Sequence, residues 1–306
     1  MHTSDVTTKF EMVVRRIHPK ATLLKASKLE GGVSAQVTAL EIELPGGEQR
    51  KVVVRQYGEA NLLSDPSVAS HEFSLLKILR SHDLPVPEPL YADESNEILP
   101  SPYLVVSFID GKAVDEPSNI TDFVKQMADI LARIHAARVS EELAFLPDQT
   151  KVFTNQLQKR PQKLDETLSE SRIRDVLASA WPPTQTNDSV LLHGDFWPGN
   201  SIWKHNKLAG IIDWEDAGYG DPLADLGNGR LEILMFFGPE ASETFTNHYQ
   251  SLMPALDYGN LPYWDLCAAL RPAGKMAEWG LDGETLQKFQ NGHRHFVDQA
   301  IEKLAV

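Results

Sequence analysis

Through the first 110 residues, apolar and polar positions mostly alternate, the pattern of strands with one face in a core. The opening VTTKFEMVVRRIH is the exception and has helical spacing. The runs TLLKASKLE, AQVTALEIEL and RKVVVRQY then predict three strands, the last two joined by the turn PGGE. Asp65-Pro66 supplies cap and first-turn chemistry for a helix through HEFSLLKILRSH. After the proline-bounded connector LPVPEP, PLYADE and YLVVSFI predict two more strands around Ser95-Asn96. Five strands and one packed helix make an antiparallel sheet. From about residue 119 the period becomes helical, with Phe123, Met127, Ile130, Leu131 and Ile134 on one face. The polar stretch KRPQKLDETLSESRIRDVLASA predicts a second helix, ended by Trp181-Pro182-Pro183. SVLLHGD reads as a short strand into a loop, and SIWKHNKLAGIIDW as a hairpin. PLADLGNGRLEILMFF, ASETFTNHYQSLM, PYWDLCAALRPAGKMAEW and GETLQKFQNGHRHFVDQAIEKL predict helices. The expected fold is therefore α+β, a sheet lobe over residues 1–108 followed by a larger helical lobe over 109–306.

Composition narrows the functional classes. The 306 residues hold 29 Lys and Arg against 43 Asp and Glu, a net charge of −14, which disfavours nucleic acid and anionic membrane as partners. Acidic residues exceed basic ones by four in residues 1–110 and by ten in 111–306, an excess that suits a cationic small molecule in the second part. Cys267 is the only cysteine and lies in an apolar run, so it reads as a buried structural thiol. MHTSDVTTKFE lacks the apolar core of a signal peptide, and no run nears the ~20 apolar residues of a membrane span. A cytoplasmic protein is expected.

The densest chemistry lies in HGDFWPGN, residues 193–200. Asp195 and Asn200 stand five apart on a turn-rich segment after the apolar VLL. Phosphoryl transfer needs a base beside the attacking hydroxyl, oxygen ligands for Mg²⁺ and cations on the phosphates. An aspartate can accept the hydroxyl proton, while an asparagine amide oxygen can ligate a metal without cancelling its charge. Asp213 follows in GIIDW, where a carboxylate ending an apolar strand needs a partner and a divalent cation is a natural one. The hairpin between them would fold Asp213 back toward Asn200. A metal-dependent hydrolase would need further ligands, and no H-E-x-x-H spacing occurs among the ten histidines.

HGDFWPGN, then IIDW, then GDPLADL together resemble the aminoglycoside phosphotransferase and choline kinase family, small-molecule relatives of the protein kinases. Upstream, GGVSAQV is similar to that family's nucleotide loop, VVVRQY to its third strand, HEFSLLKILRSHDLPVP to its helix and connector, YLVVSFIDG to its hinge and LARIHAA to the helix opening its second lobe. The resemblance covers about residues 28–237. It implies a bilobal protein-kinase-like fold that transfers the γ-phosphate of ATP or GTP, with Mg²⁺, to a hydroxyl of an amino alcohol, aminoglycoside, sugar or related acceptor. By the same resemblance Asp195 is the catalytic base and Asn200 and Asp213 the metal ligands. Gly31, Gly32 and Ser34 approach the triphosphate, Arg55 stands where protein kinases have lysine, Glu72 pairs with it, and the backbone of Ser107 to Ile109 meets adenine. A catalytically silent nucleotide-binding protein of the same fold is the alternative.

The surrounding residues have plainer readings. His193 steadies the loop. Asp221 and Asp225 begin a helix and anchor the catalytic loop. Trp197, Trp214 and Tyr219 read as packing residues whose rings could also cover an organic cation or a sugar face, and Trp279 and His293 as helical core or surface in preference to an acceptor role. Glu215 and Asp216 stay open between surface charge and an acidic acceptor pocket.

Overall fold

Helical spacing in the opening segment produces α1 (Thr3–Ile17), and strand alternation then produces β1 (Thr22–Lys28), β2 (Ala35–Glu43) and β3 (Gln49–Tyr57). A short α2 (Glu59–Ser64) and α3 (Val68–Ser81) precede β4 (Pro89–Asp93) and β5 (Tyr103–Ser107). The strands form one antiparallel sheet in the order β1-β2-β3-β5-β4. The computed structural model describes residues 3–29, 35–113, 117–139 and 143–304. It divides into two compact units, Met1–Asp110 with Ala209–Glu215, and Gly111–Leu208 with Asp216–Val306.

Residue parity along β3 decides what each face of the sheet holds. Val52 and Val54 point into a core with Leu40, Ile42 and Val105 that is closed by Phe10, Val13 and Val14 of α1. Arg55 and Tyr57 point the other way and meet Glu72 on α3. Two helices thus cover the sheet, where the sequence predicts one packed helix. The reason is the apolar stripe at positions 10, 13 and 14 of α1. Burying those three side chains is worth roughly 5–9 kcal/mol, comparable with the ~5–15 kcal/mol net stability of a typical domain.

Asp65 does not cap the following helix as expected. Ser67 takes the cap position, and Asp65 instead accepts the Ser67 N–H at 3.0 Å and meets His71 at 2.7 Å. A second difference concerns residues 209–215, which the sequence reading places with everything after residue 108. They belong with the sheet, because Ile211 N–H donates to Pro85 O at 2.8 Å and Arg55 binds the side chains of Asp213 and Glu215.

The second unit contains α4 (Ile120–Ala136), α5 (Gln149–Gln158), α6 (Glu170–Ala180) and β6 (Val190–Leu192). β7 (Ser201–Lys204) follows, then β8 (Lys207–Ile211), whose last three residues belong to the first unit, and then β9 (Gly218–Gly220), α7 (Leu223–Phe237), α8 (Pro239–Leu252), α9 (Leu261–Leu270) and α10 (Gly283–Leu304). The predicted helix over 159–180 begins only at Glu170. Before it Asp165 opens a single 3₁₀ turn, Glu166–Leu168, and Ser169 is left-handed at φ 57°. No apolar stripe precedes Leu168 and Ile173 to hold the earlier residues as a helix. The predicted helix over 262–279 stops at Leu270, since Pro272 would clash with the carbonyl one turn back. α7 packs on α8, α9 and α10 and is the axis of this unit's core. Among the described residues no helix is long and apolar enough to cross a membrane.

Candidate active site

β6 pairs antiparallel with β9 and delivers the HGD segment from the core. Gly194 has φ +80°, and a Cβ there would lie 1.8 Å from Asp216 O, so only glycine fits. The N–H groups of His193 and Gly194 donate to the two carboxylate oxygens of Asp225, at 2.6 and 2.9 Å. Asp225 sits in the first turn of α7 and is 1% exposed. Burial alone would raise its pKa, yet His135 beside it and the His193 N–H hold it below the usual carboxylate range. His193 is fully buried and accepts the Asp195 N–H on Nδ1 at 3.2 Å. It is a brace for the loop. Asp221 does not share the anchoring role expected of it: its Oδ1 accepts the Leu223 N–H and the Asn187 amide.

This scaffold aims Asp195. Arg271 grips the loop with both terminal nitrogens, Nη1 donating to Gly194 O at 2.6 Å and Nη2 to Asp195 Oδ1 at 2.7 Å. Asn200 closes a 3₁₀ turn, and its Nδ2 donates to Asp195 O at 2.9 Å and to Asp195 Oδ2 at 3.1 Å. The Asp195 side chain nevertheless stays 33% exposed, so a hydroxyl can reach it. Asp216, also an exposed acid, lies 3.9 Å from Arg271. Glu232 on α7 is pushed up to about 8, first by burial and then by the Asp195 charge, with Arg271 opposing. Arg271 and Glu232 are absent from the sequence reading. Arg271 lies 76 positions from Asp195, at the end of an apolar helix, and no motif spacing marks it.

The sheet unit brings together the other charged candidates. Arg55 Nη1 donates to Glu72 Oε1 at 2.6 Å, and its Nη2 donates to Asp213 Oδ1 at 2.6 Å and to Glu215 Oε2 at 3.0 Å. Tyr57 OH donates to the remaining Glu72 oxygen at 2.6 Å. Burial raises the Glu72 pKa even against the lowering influence of Arg55. Glu215, left open by the sequence, is a partly buried partner of Arg55 with a side chain 10% exposed. Trp214 is 2% exposed and donates to Ile211 O, a packing residue as expected.

Of the hinge residues, Ser107 N–H already donates to Glu88 O at 2.8 Å, and Phe108 N–H donates to Lys51 O at 3.2 Å. Ile109 packs over Gly210, where a Cβ would meet Ile109 Cδ1 at 2.4 Å. Gly31, Gly32 and Ser34 lie outside the described residues. His293 is buried, with Nε2 2.8 Å from Ala269 O, and the Cys267 thiol is buried and pushed well up by desolvation. Both are core residues.

Asn200 and Asp213 have the chemistry of magnesium ligands. The Asn200 amide nitrogen is engaged with Asp195, which turns its oxygen the opposite way as an acceptor. Asp213 is held at φ 67° with one oxygen on Arg55 and a side chain 35% exposed. Hard oxygen donors suit Mg²⁺, which takes only one or two protein ligands where it also binds phosphates. Among the described residues no three His, Cys, Asp or Glu side chains gather into a metal-ligand cluster.

A model of the phosphotransferase enzyme family matches residues 25–259. The chain is 26% identical over 199 residues to acyl-CoA dehydrogenase family member 10 of Mus musculus, covering 60% of this chain and only 18% of that much longer protein. It is 27% identical over 155 residues to viomycin phosphotransferase of Streptomyces vinaceus, covering 46% of this chain and 53% of that protein. The GDP complex of aminoglycoside 2′-phosphotransferase-IIIa has the same fold, with a TM-score of 0.64 at 16% identity, covering 98% of this chain and 97% of that one. An α+β fold and a family match running from β1 past the HGD loop, α7 and α8 to the segment before α9 place this chain in the phosphotransferase enzyme family.

Proposed function

We propose that this protein is a small-molecule kinase that transfers the γ-phosphate of ATP or GTP to a hydroxyl group of an amino alcohol, aminoglycoside, sugar or related acceptor. The observation that carries the reading is Asp195, braced on one oxygen by Arg271 and on the other by Asn200 while a third of its side chain stays accessible. A carboxylate so fixed can accept the acceptor's hydroxyl proton as the oxygen attacks phosphorus. Its pre-set orientation avoids reorganisation during the reaction. In this reading Arg55 contacts phosphate, and Glu72 and Tyr57 keep it in place. Gly31, Gly32 and Ser34 approach the triphosphate. Adenine or guanine is held along Ser107 to Ile109 by groups other than the Ser107 and Phe108 N–H, which are already engaged. Asn200 and Asp213 are the protein ligands of Mg²⁺, which when bound offsets charge on the phosphate oxygens.

Support comes from the family match and from a structural relative solved with GDP. The curated relative named as a viomycin phosphotransferase supports a small-molecule acceptor. The acid excess of residues 111–306 favours a cationic one. The test is nucleoside-diphosphate release with Mg²⁺ and ATP or GTP across amino-alcohol, aminocyclitol, sugar and macrolide acceptors, beside an Asp195→Asn variant. Acceptor-dependent turnover should fall on the order of 10²–10⁴-fold in the variant. Nucleotide binding without turnover on any acceptor would instead identify a silent nucleotide-binding protein.

A further inference from the structure

A polar cavity lies wholly within the helical unit, among α7, α8, α9 and α10. Its volume is about 630 Å³, and none of Asp195, Asn200, Glu232 or Arg271 lines it. In its wall Arg230 and Asp265 are 8% and 2% exposed. They are an ion pair made by one contact, Arg230 Nε to Asp265 Oδ1 at 3.3 Å, buried and without hydrogen-bond geometry. Burying opposite charges costs several kcal/mol per ion unless good geometry and further bonds compensate. Here a single imperfect contact holds the pair, which leaves both groups capacity to bond a ligand in the cavity. Burial pushes Asp265 up to about 6 against the pull of Arg230 and Lys303.

We propose that this cavity is a binding site for an α-amino acid with a long polar side chain, its carboxylate taken by Arg230 and its ammonium by Asp265. The head group follows from the spacing. A cation and an anion 3.3 Å apart match complementary charges borne on one carbon. A guanidinium is the better partner for the planar carboxylate. The side chain follows from the rest of the wall, where Gln250, Gln299, Glu243 and Lys303 offer hydrogen bonds over a volume well beyond an amino-acid head group. This site stands apart from the phosphotransfer reading and survives its failure.

The test is calorimetry and thermal shift on the whole protein with the standard L-α-amino acids as probes. Saturable binding of one with a long polar side chain is expected. It should weaken roughly tenfold or more for the analogue lacking either the carboxylate or the amine. Arg230→Met with Asp265→Leu replaces the pair by apolar groups of similar volume, so it should melt no lower than the native protein while losing the ligand. Gln250→Trp, at a half-buried wall position, should also abolish binding by filling the cavity, and Asp195→Asn should leave it unchanged. The proposal is overturned if no amino acid binds, which would make the cavity a water-filled space. It is equally overturned if binding survives the double variant or Gln250→Trp, or is lost in Asp195→Asn.

Discussion

Arg55 faces Glu72, Asp213 and Glu215, and its replacement by methionine should expose how much of the sheet unit depends on it. The three contacts are not equal. Asp213 is 35% exposed, so solvent screens its share to at most ~1 kcal/mol. Glu72 and Glu215 have side chains 3% and 10% exposed, and removing the partner of a buried pair costs about 3–5 kcal/mol. The cost is limited by proton uptake. Glu72 already has a raised pKa in the folded protein, and deleting Arg55 removes the main influence lowering it. A raised folded pKa means a stability contribution present at low pH and lost as pH rises through that value. The gap between native and Arg55→Met should therefore be about 3 kcal/mol or more near pH 8 and distinctly smaller near pH 5. Urea denaturation at both pH values, followed by circular dichroism and tryptophan fluorescence, measures it. In a thermal scan near pH 8 the loss corresponds to roughly 5–10 °C. Adding Glu72→Gln should restore part of the loss near pH 8, because Tyr57 can still bond a neutral amide. A gap below about 1 kcal/mol, a gap equal at the two pH values, or no rescue by the second change would refute this reasoning.

Two other perturbations probe the catalytic loop. Glu232→Gln removes a carboxyl group whose folded pKa of about 8 lies above its ordinary 4.5. Native stability at this site falls as pH rises from 4.5 through 8, so the variant should gain up to roughly 5 kcal/mol near pH 9 and nothing near pH 4. Equal stabilisation at both ends of a pH series of melting curves would exclude protonation as the cause. Gly194→Ala places a methyl group on Asp216 O at a left-handed position, at a cost of at least about 2 kcal/mol. Melting and acceptor-dependent turnover should both drop, and an unchanged melting curve would show that the loop has room to relax.

Some of the site was legible because its parts are close in the chain. Asp195 and Asn200 are joined by one turn, and the Asn200 amide reaches Asp195 with no help from elsewhere. The glycine between His193 and Asp195 likewise announces a backbone that other residues cannot adopt. Arg55 and Glu72 were paired by resemblance on a strand and helix whose periodicities are clear. The departures fall where local pattern is weak. α5 lies in a segment, Gln149–Gln158, with few apolar positions to mark it, and β9 is a three-residue GYG strand held by distant partners, β6 on one side and Pro147 O on the other. Glu215 and Arg271 look like ordinary surface charges, since nothing in a chain states which distant cation or anion will be buried beside them.

From its residues alone, this chain determines the strand and helix periods, the glycine-dependent loop and the local spacing of base and amide. All of these arise from steric and hydrogen-bonding rules acting over a few positions. Tertiary structure decides that Arg271 grips Asp195 and that Asp225 bonds both the His193 and Gly194 amides. It also decides that Glu215 joins Arg55 and that Arg230 meets Asp265 in a cavity. Those are contacts between charges far apart in sequence, and their strength comes from the low dielectric that only the folded core creates.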